Sequence, residues 1–273
     1  MALFLAMLLG YTTILVADVV NDTPVIKTDL KSVSGIPLPT VTILFDYNFT
    51  TSCVLLYNNG TSSNVDECSQ YIKQQPPTVL PGTSIQKNTV TFTPSLDLHV
   101  QAADNLSGLF GAVLVNTVTD PAFDVNNTRN SDLTFGMTIV ASDTEFSSDE
   151  YNDTLIEIDK IDPTLSTSLY QQSTYSLSYQ QVHILAYNRN ERHIIKPNAL
   201  ATIGMPSGLI RVPYITTSLE TGPLSYHPNT LSSDRYGGII IKASSFVVRT
   251  EVEFRSHTVL SLIGLLGGAW GLS

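Results

Sequence analysis

Two cysteines, five histidines and 24 carboxylates are the side chains of this 273-residue chain from which chemistry would have to be built. Cys53 and Cys68 lie 15 positions apart, a spacing that fits no zinc pattern. In an oxidising compartment they predict a disulfide whose loop closure contributes about 3 kcal/mol. His99, His183, His193, His227 and His257 never reach ligand spacing on one helix, and no HExxH, Walker or dinucleotide fingerprint occurs. The nearest string to a nucleophile elbow is GMPSG at 204–208, where Ser207 follows a proline that forbids the required turn. Carboxylate pairs for glycoside hydrolysis would draw on Asp97, Glu157, Glu251 and Glu253, a supply that any acidic β protein offers. Asp143, Glu145, Asp149, Glu150 and Asp153 invite a calcium site, but the run lacks the alternation, central glycine and terminal glutamate of an EF-type loop. It reads as a solvated acidic loop. The expectation is a protein that is not an enzyme, with no catalytic residues, no cofactor and no metal.

Modification chemistry is better represented. Asn21, Asn48, Asn59, Asn105, Asn126 and Asn152 each open an Asn-x-Ser/Thr triplet without proline, which predicts glycosylation and passage through the secretory pathway. A second surface chemistry would lie on 175–187, where Tyr175, Leu177, Tyr179, Gln181, His183, Leu185 and Tyr187 recur at period two. Tyr175, Tyr179, His183 and Tyr187 there form either a stacking platform for sugar rings or a half-buried core face.

The elements that must position these residues read as strands. TVTILFDY at 40–47, CVLLY at 53–57, NTVTFTP at 88–94, LDLHVQA at 96–102, LFGAVLVN at 109–116 and LTFGMTIVA at 133–141 are short, turn-separated and apolar or β-branched. QQPPTVLPG at 74–82 cannot join a ladder through its prolines and predicts a linker over 74–87. Residues 175–197 predict a hairpin turning at Asn188 to Asn190, and the prolines of 197–213 and 221–228 predict loops. GGIIIKASSFVVRTEVEFRS at 237–256 predicts two strands; in the second, Val248, Thr250, Val252 and Phe254 face a core while Arg249, Glu251, Glu253 and Arg255 face water. The fold class is therefore an all-β ectodomain over 22–256, a β-sandwich of which a jelly roll is one form.

Both ends are apolar. Residues 1–21 lack the basic n-region of a cleavable signal and predict a signal anchor, with a cleaved signal peptide as the competing reading. Residues 257–273 carry the uncharged run TVLSLIGLLGGAWGLS, which predicts the start of a transmembrane helix cut short before it spans. Ala6 and Gly10 in the first segment, with Gly264, Gly268 and Gly271 in the second, stand at small-residue spacings that let membrane helices approach closely, although glycine is common in membrane helices anyway.

RSHTVLSLIGLLGGAWGLS, with LGYTTILVADVVNDTPVI near the start, resembles a group of uncharacterised two-helix membrane glycoproteins of mycorrhizal-type fungi, a likeness that implies layout and no activity. LLGGAWGLS at 265–273 is also similar to the pore helix of the degenerin and acid-sensing sodium channel family, which implies two helices flanking a β-rich ectodomain. The formal charge of −10 argues against nucleic acid as a partner. The expected function is a membrane-anchored surface glycoprotein in a binding, adhesive or structural role. Its ectodomain lies outside a plasma or secretory-pathway membrane. Its expected partners are the membrane, cell-wall carbohydrate or another surface protein, and further copies of itself in a homo-oligomer. The alternatives are a two-pass channel-like subunit gated by a ligand or ion, and a secreted carbohydrate-active protein.

Overall fold

Alternating burial decides which of the apolar runs become strands. In the computed structural model of the chain, the described residues are 24–79, 86–123, 136–145, 173–196, 208–223 and 235–255, with 10, 11, 13, 14, 17 and 264 in the apolar ends. They form β1 (Val25–Ser32), β2 (Gly35–Pro37), β3 (Thr40–Phe45), β4 (Phe49–Tyr57), the short helix α1 (Val65–Ser69), β5 (Ile72–Val79), β6 (Gln86–Phe92) and β7 (His99–Gln101). Then come β8 (Leu109–Val118), β9 (Met137–Ser142), β10 (Thr174–Leu177), β11 (Gln181–Ile195), β12 (Leu209–Pro223), β13 (Arg235–Ala243) and β14 (Val247–Phe254).

The chain divides into two compact units, the larger comprising Ser32–Asn190 and Pro213–Val248. Here β10, β9, β3, β6 and β5 make one sheet, and β8 is flanked by β13 and β4 in the other. Along β3, Val41, Ile43 and Phe45 are fully buried while Thr40, Thr42 and Leu44 are half-buried. Leu114 of β8 and Ile239 and Ile241 of β13 are fully buried in the same apolar core, so the two sheets face each other as a sandwich. One residue fixes the spacing between β8 and β13: a Cβ at Gly111 would lie 2.2 Å from the Ile241 carbonyl oxygen, so only glycine fits. Not every ladder is antiparallel, since β11 pairs with β13 in parallel over Gln181 to Tyr187.

The smaller unit comprises Met1–Lys31, Glu191–Val212 and Arg249–Ser273. It contains β1, the last part of β11, the start of β12 and most of β14, with β1 and β14 neighbours in the sheet. The Val33 amide donates to the Phe246 carbonyl at 2.9 Å, joining the end of β1 to the start of β14. The two strands are therefore antiparallel, and Val25 and Phe254 stand together at the far end of their ladder. In the apolar ends, Gly10, Tyr11, Thr13, Ile14, Ala17 and Gly264 are helical; among the described residues no helix is long and apolar enough to cross a membrane.

Several expectations are corrected. Pro76 and Pro77 lie within β5, which is an edge strand with a register shift between Gln75 and Thr78, so the missing donors fall where the ladder is already broken. The expected linker is thus strand on both sides of the undescribed 80–85. Residues 209–213 and 221–223, expected within loops, belong instead to β12, which pairs with β11 off the main path of the sheet, and Pro213 is accommodated there. β11 passes straight through Asn188 to Asn190; the turn lies earlier, at Tyr179 and Gln180, where Gln180 has φ 57°.

Cys53 on β4 and Cys68 on α1 are both fully buried and joined by a disulfide with Cα atoms 5.5 Å apart. Replacing Cys53 by Ser should lower stability by about 2–5 kcal/mol, read as an earlier urea midpoint. Thiol labelling of the native protein should find no reactive cysteine, and two labelled thiols would overturn the pairing.

Candidate functional site

Of the carboxylates that looked available for chemistry, Asp143, Glu145, Glu251 and Glu253 are engaged with arginines. In the larger unit, Arg189 of β11 donates from Nε to Asp143 Oδ2 at 2.8 Å and from Nη2 to Glu145 Oε2. Asp143 is 4% exposed, and its other oxygen accepts the Glu145 amide at 2.9 Å. Burial alone would lower the guanidinium pKa, but the two carboxylates outweigh it and raise it. The two positions at the start of the acidic run thus satisfy a guanidinium; Asp149, Glu150 and Asp153 lie outside the described residues. Among the described residues no group of three potential metal ligands occurs.

The period-two tyrosine face is core, not an open platform. Tyr187 is fully buried, its hydroxyl donating to the Pro37 carbonyl at 2.9 Å, and burial together with Asp143 pushes its pKa well up. His183 is 1% exposed, with Nε2 at 3.2 Å from the Ser178 amide and Nδ1 at 3.3 Å from Thr221 Oγ1; burial lowers its pKa. Tyr175 belongs to β10 and donates to the Thr217 carbonyl at 2.7 Å. Tyr179 lies in the turn, its ring centroid 5.5 Å from that of Tyr236 and 5.8 Å from that of Phe123. The period-two count failed because the turn at Tyr179 and Gln180 divides the stretch between two sheets.

In the smaller unit, Glu253 accepts from Arg192 Nη2 at 2.9 Å and from the Ile195 amide at 3.2 Å, while Glu251 pairs with Arg249 at 2.8 Å. Arg211 meets Glu191 at 2.5 Å. Glu251 and Glu253 on the charged side of β14 are therefore paired, not merely solvated, and Phe254, expected to face a core, is 44% exposed. Asp97 is exposed and belongs to the larger unit, and Glu157 and Ser207 lie outside the described residues.

The modification sites fare differently. Asn48, Asn59 and Asn105 are all exposed; Asn21, Asn126 and Asn152 lie outside the described residues. Asn59 and Asn105 sit on neighbouring turns, because the intervening Asn58 donates its amide to the carbonyls of Gln101, Ala102 and Asn105 at 3.3, 3.1 and 2.9 Å. Of the small residues expected to pack between helices, Ala6, Gly268 and Gly271 lie outside the described residues, and a Cβ at Gly10 or Gly264 would meet nothing within 4 Å. Sequence reasoning missed Arg189 and Asn58, whose partners are remote in the chain and carry no local signal.

The chain matches no protein-family model and no curated protein. Among solved structures it is similar to one described as the cryo-EM structure of a proton-activated chloride channel, with 11% identity over 99% of this chain and 89% of that one and a TM-score of 0.48. It is also similar to the crystal structure of Erv41p, with 7% identity over 83% of this chain and 99% of that one and a TM-score of 0.36. At those scores neither likeness assigns an activity or a partner.

Two measurements test the buried groups. Arg189→Met leaves the Asp143 carboxylate buried without its partner and should cost about 3–5 kcal/mol, seen in the unfolding midpoint. His183 has a folded-state pKa below its ordinary 6.5. The unfolded chain therefore binds the extra proton, and this contribution to stability is present above pH 6.5 and lost as pH falls through the folded value. His183→Gln should remove that part of the pH dependence, so an unchanged difference between midpoints at pH 7.5 and 5.5 would refute the assignment.

Proposed function

We propose that the chain is a membrane-anchored surface glycoprotein whose β-sandwich is displayed outside the cell or in the secretory lumen, in a binding or adhesive role without catalysis. The observation that carries the reading is the antiparallel β1 and β14 ladder. It brings Val25 and Phe254, the residues nearest the two apolar segments, to the same end of one strand pair. Two apolar segments leaving from one place can enter one bilayer without a further crossing of the ectodomain. The buried disulfide and three exposed sequons support an oxidising, glycosylating compartment. The same ladder also suits a two-pass subunit of an oligomeric channel, in which ectodomain strands run directly into the membrane segments.

Expression in eukaryotic cells tests both. The glycoprotein reading expects a mobility shift on treatment with peptide N-glycosidase and retention in membranes after alkaline carbonate extraction; neither result is compatible with a cytosolic protein. Cross-linking in those membranes separates the alternatives. A monomer unaffected by Gly268→Leu eliminates the channel subunit and leaves the binding module.

A further inference from the structure

We infer that Asn59 carries a glycan whose first sugar lies on the ring of Tyr57, so that this one modification adds to the stability of the fold. The inference rests on the secretory reading above. Its basis is the register of the turn that follows β4. The Ser63 amide donates to the Leu55 carbonyl at 2.9 Å, Leu56 bridges Ser62, and the Tyr57 amide donates to the Thr61 carbonyl at 3.0 Å. Tyr57 and Thr61 are thus directly opposite each other, and directly opposed residues place their side chains on one face. Between them the Gly60 amide donates to the Tyr57 carbonyl at 3.0 Å, with Gly60 at φ 80°. This is a tight turn closed by a glycine bulge, a geometry that only glycine adopts without strain.

The same face receives Asn59. Its Oδ1 accepts the Thr61 amide at 2.9 Å and the Thr61 hydroxyl at 2.6 Å, which draws the carboxamide to the side shared by Tyr57 and Thr61. The atom so engaged is the oxygen. The nitrogen, which takes the sugar, is left for modification. Asn59 and Thr61 are exposed, whereas Tyr57 is half-buried and packed against the core, so its ring is held in place. Asn58 anchors the turn from beneath through three carbonyls, and the Cys53–Cys68 disulfide closes the loop that contains it. A pyranose presents a face of C–H groups, and an aromatic ring offers the apolar, electron-rich surface that this face covers. The residues two before the other sequons are Val19, Asp46, Ala103, Asp124 and Glu150; Tyr57 alone is aromatic.

The test compares full-length protein made in eukaryotic cells with and without tunicamycin. Glycopeptide mass spectrometry should find Asn59 occupied. The sugar-bearing protein should melt about 2–4 °C higher than the sugar-free one. The difference should survive trimming with endoglycosidase H, which leaves the first sugar, and survive in Asn105→Gln. It should vanish in Asn59→Gln and Tyr57→Leu and persist in Tyr57→Phe, which keeps the ring. Should Tyr57→Leu fail to fold, upfield ring-current shifts of the first sugar's protons in the unmutated protein give the same answer. Sugar at other sequons with Asn59 bare, or a difference that persists in Tyr57→Leu, overturns the inference while leaving the secretory reading intact. No sugar at any sequon overturns both.

Discussion

The sandwich depends on one polar contact at the centre of its apolar core. Tyr236 of β13 stands 4% exposed among Phe45, Phe123 and Tyr179, and its hydroxyl accepts the Met137 amide at 3.2 Å and donates to the Leu177 carbonyl at 3.1 Å. Met137 opens β9 and Leu177 ends β10, where the two are register partners, so a residue of the larger sheet bonds both strands of the smaller sheet at the end of their ladder. An apolar residue there would fill the volume but forfeit both bonds, at a cost of about 1–3 kcal/mol. Because those bonds have direction, they fix the register in which the sheets face each other, which apolar packing alone leaves loose.

The same economy governs the charged residues. Arg189 is held by Asp143 and Glu145, Arg192 by Glu253, Arg249 by Glu251 and Lys87 by Asp46. All but the Arg249–Glu251 pair, which lies within β14, join strands or loops distant in the chain, and such pairs specify an arrangement more than they stabilise it. Carboxylates committed in this way cannot serve as a catalytic acid and base without first leaving their partners. The structural positions of Glu251 and Glu253 therefore weigh against the hydrolytic use that their sequence spacing left open.

How much of this could be read in the sequence follows from how local each cause is. The alternation of β3, β8, β9 and β13 is written in successive residues, and the disulfide in a count of two cysteines, so both were legible. Prolines misled, because Pro76, Pro77 and Pro213 are read as ladder breakers when the strand's place in the sheet is unknown; both strands lie where a missing donor is tolerated. Asn188, Arg189 and Asn190 looked like a turn for a related reason. Arg189 finds its carboxylates 46 and 44 positions away and Asn190 donates to Thr216 at 3.2 Å, so polar groups that suggested solvent are satisfied within a strand. The sequon at Asn59 was visible, but its aromatic neighbour was not, since two residues of separation place Tyr57 on the same face only through the Gly60 bulge.

The edge strand β1 joins these threads. All eight of its residues are exposed, with Leu30 at 67%, and among the described strands it ends the order of its sheet, so its outer backbone groups face away from the ladder. Edges of this kind recruit other strands unless something discourages them. Lys27, Asp29 and Lys31 supply that discouragement by setting charge at every second position of one face. The neighbouring β14 has its carboxylates paired instead, Glu253 with Arg192 and Glu251 with Arg249, as suits a strand with partners on both sides. The contrast accounts for the one apparent failure of the period-two reading near the C-terminus: a strand flanked on both sides can carry carboxylates inward when each finds an arginine, while the edge must keep its charge in water.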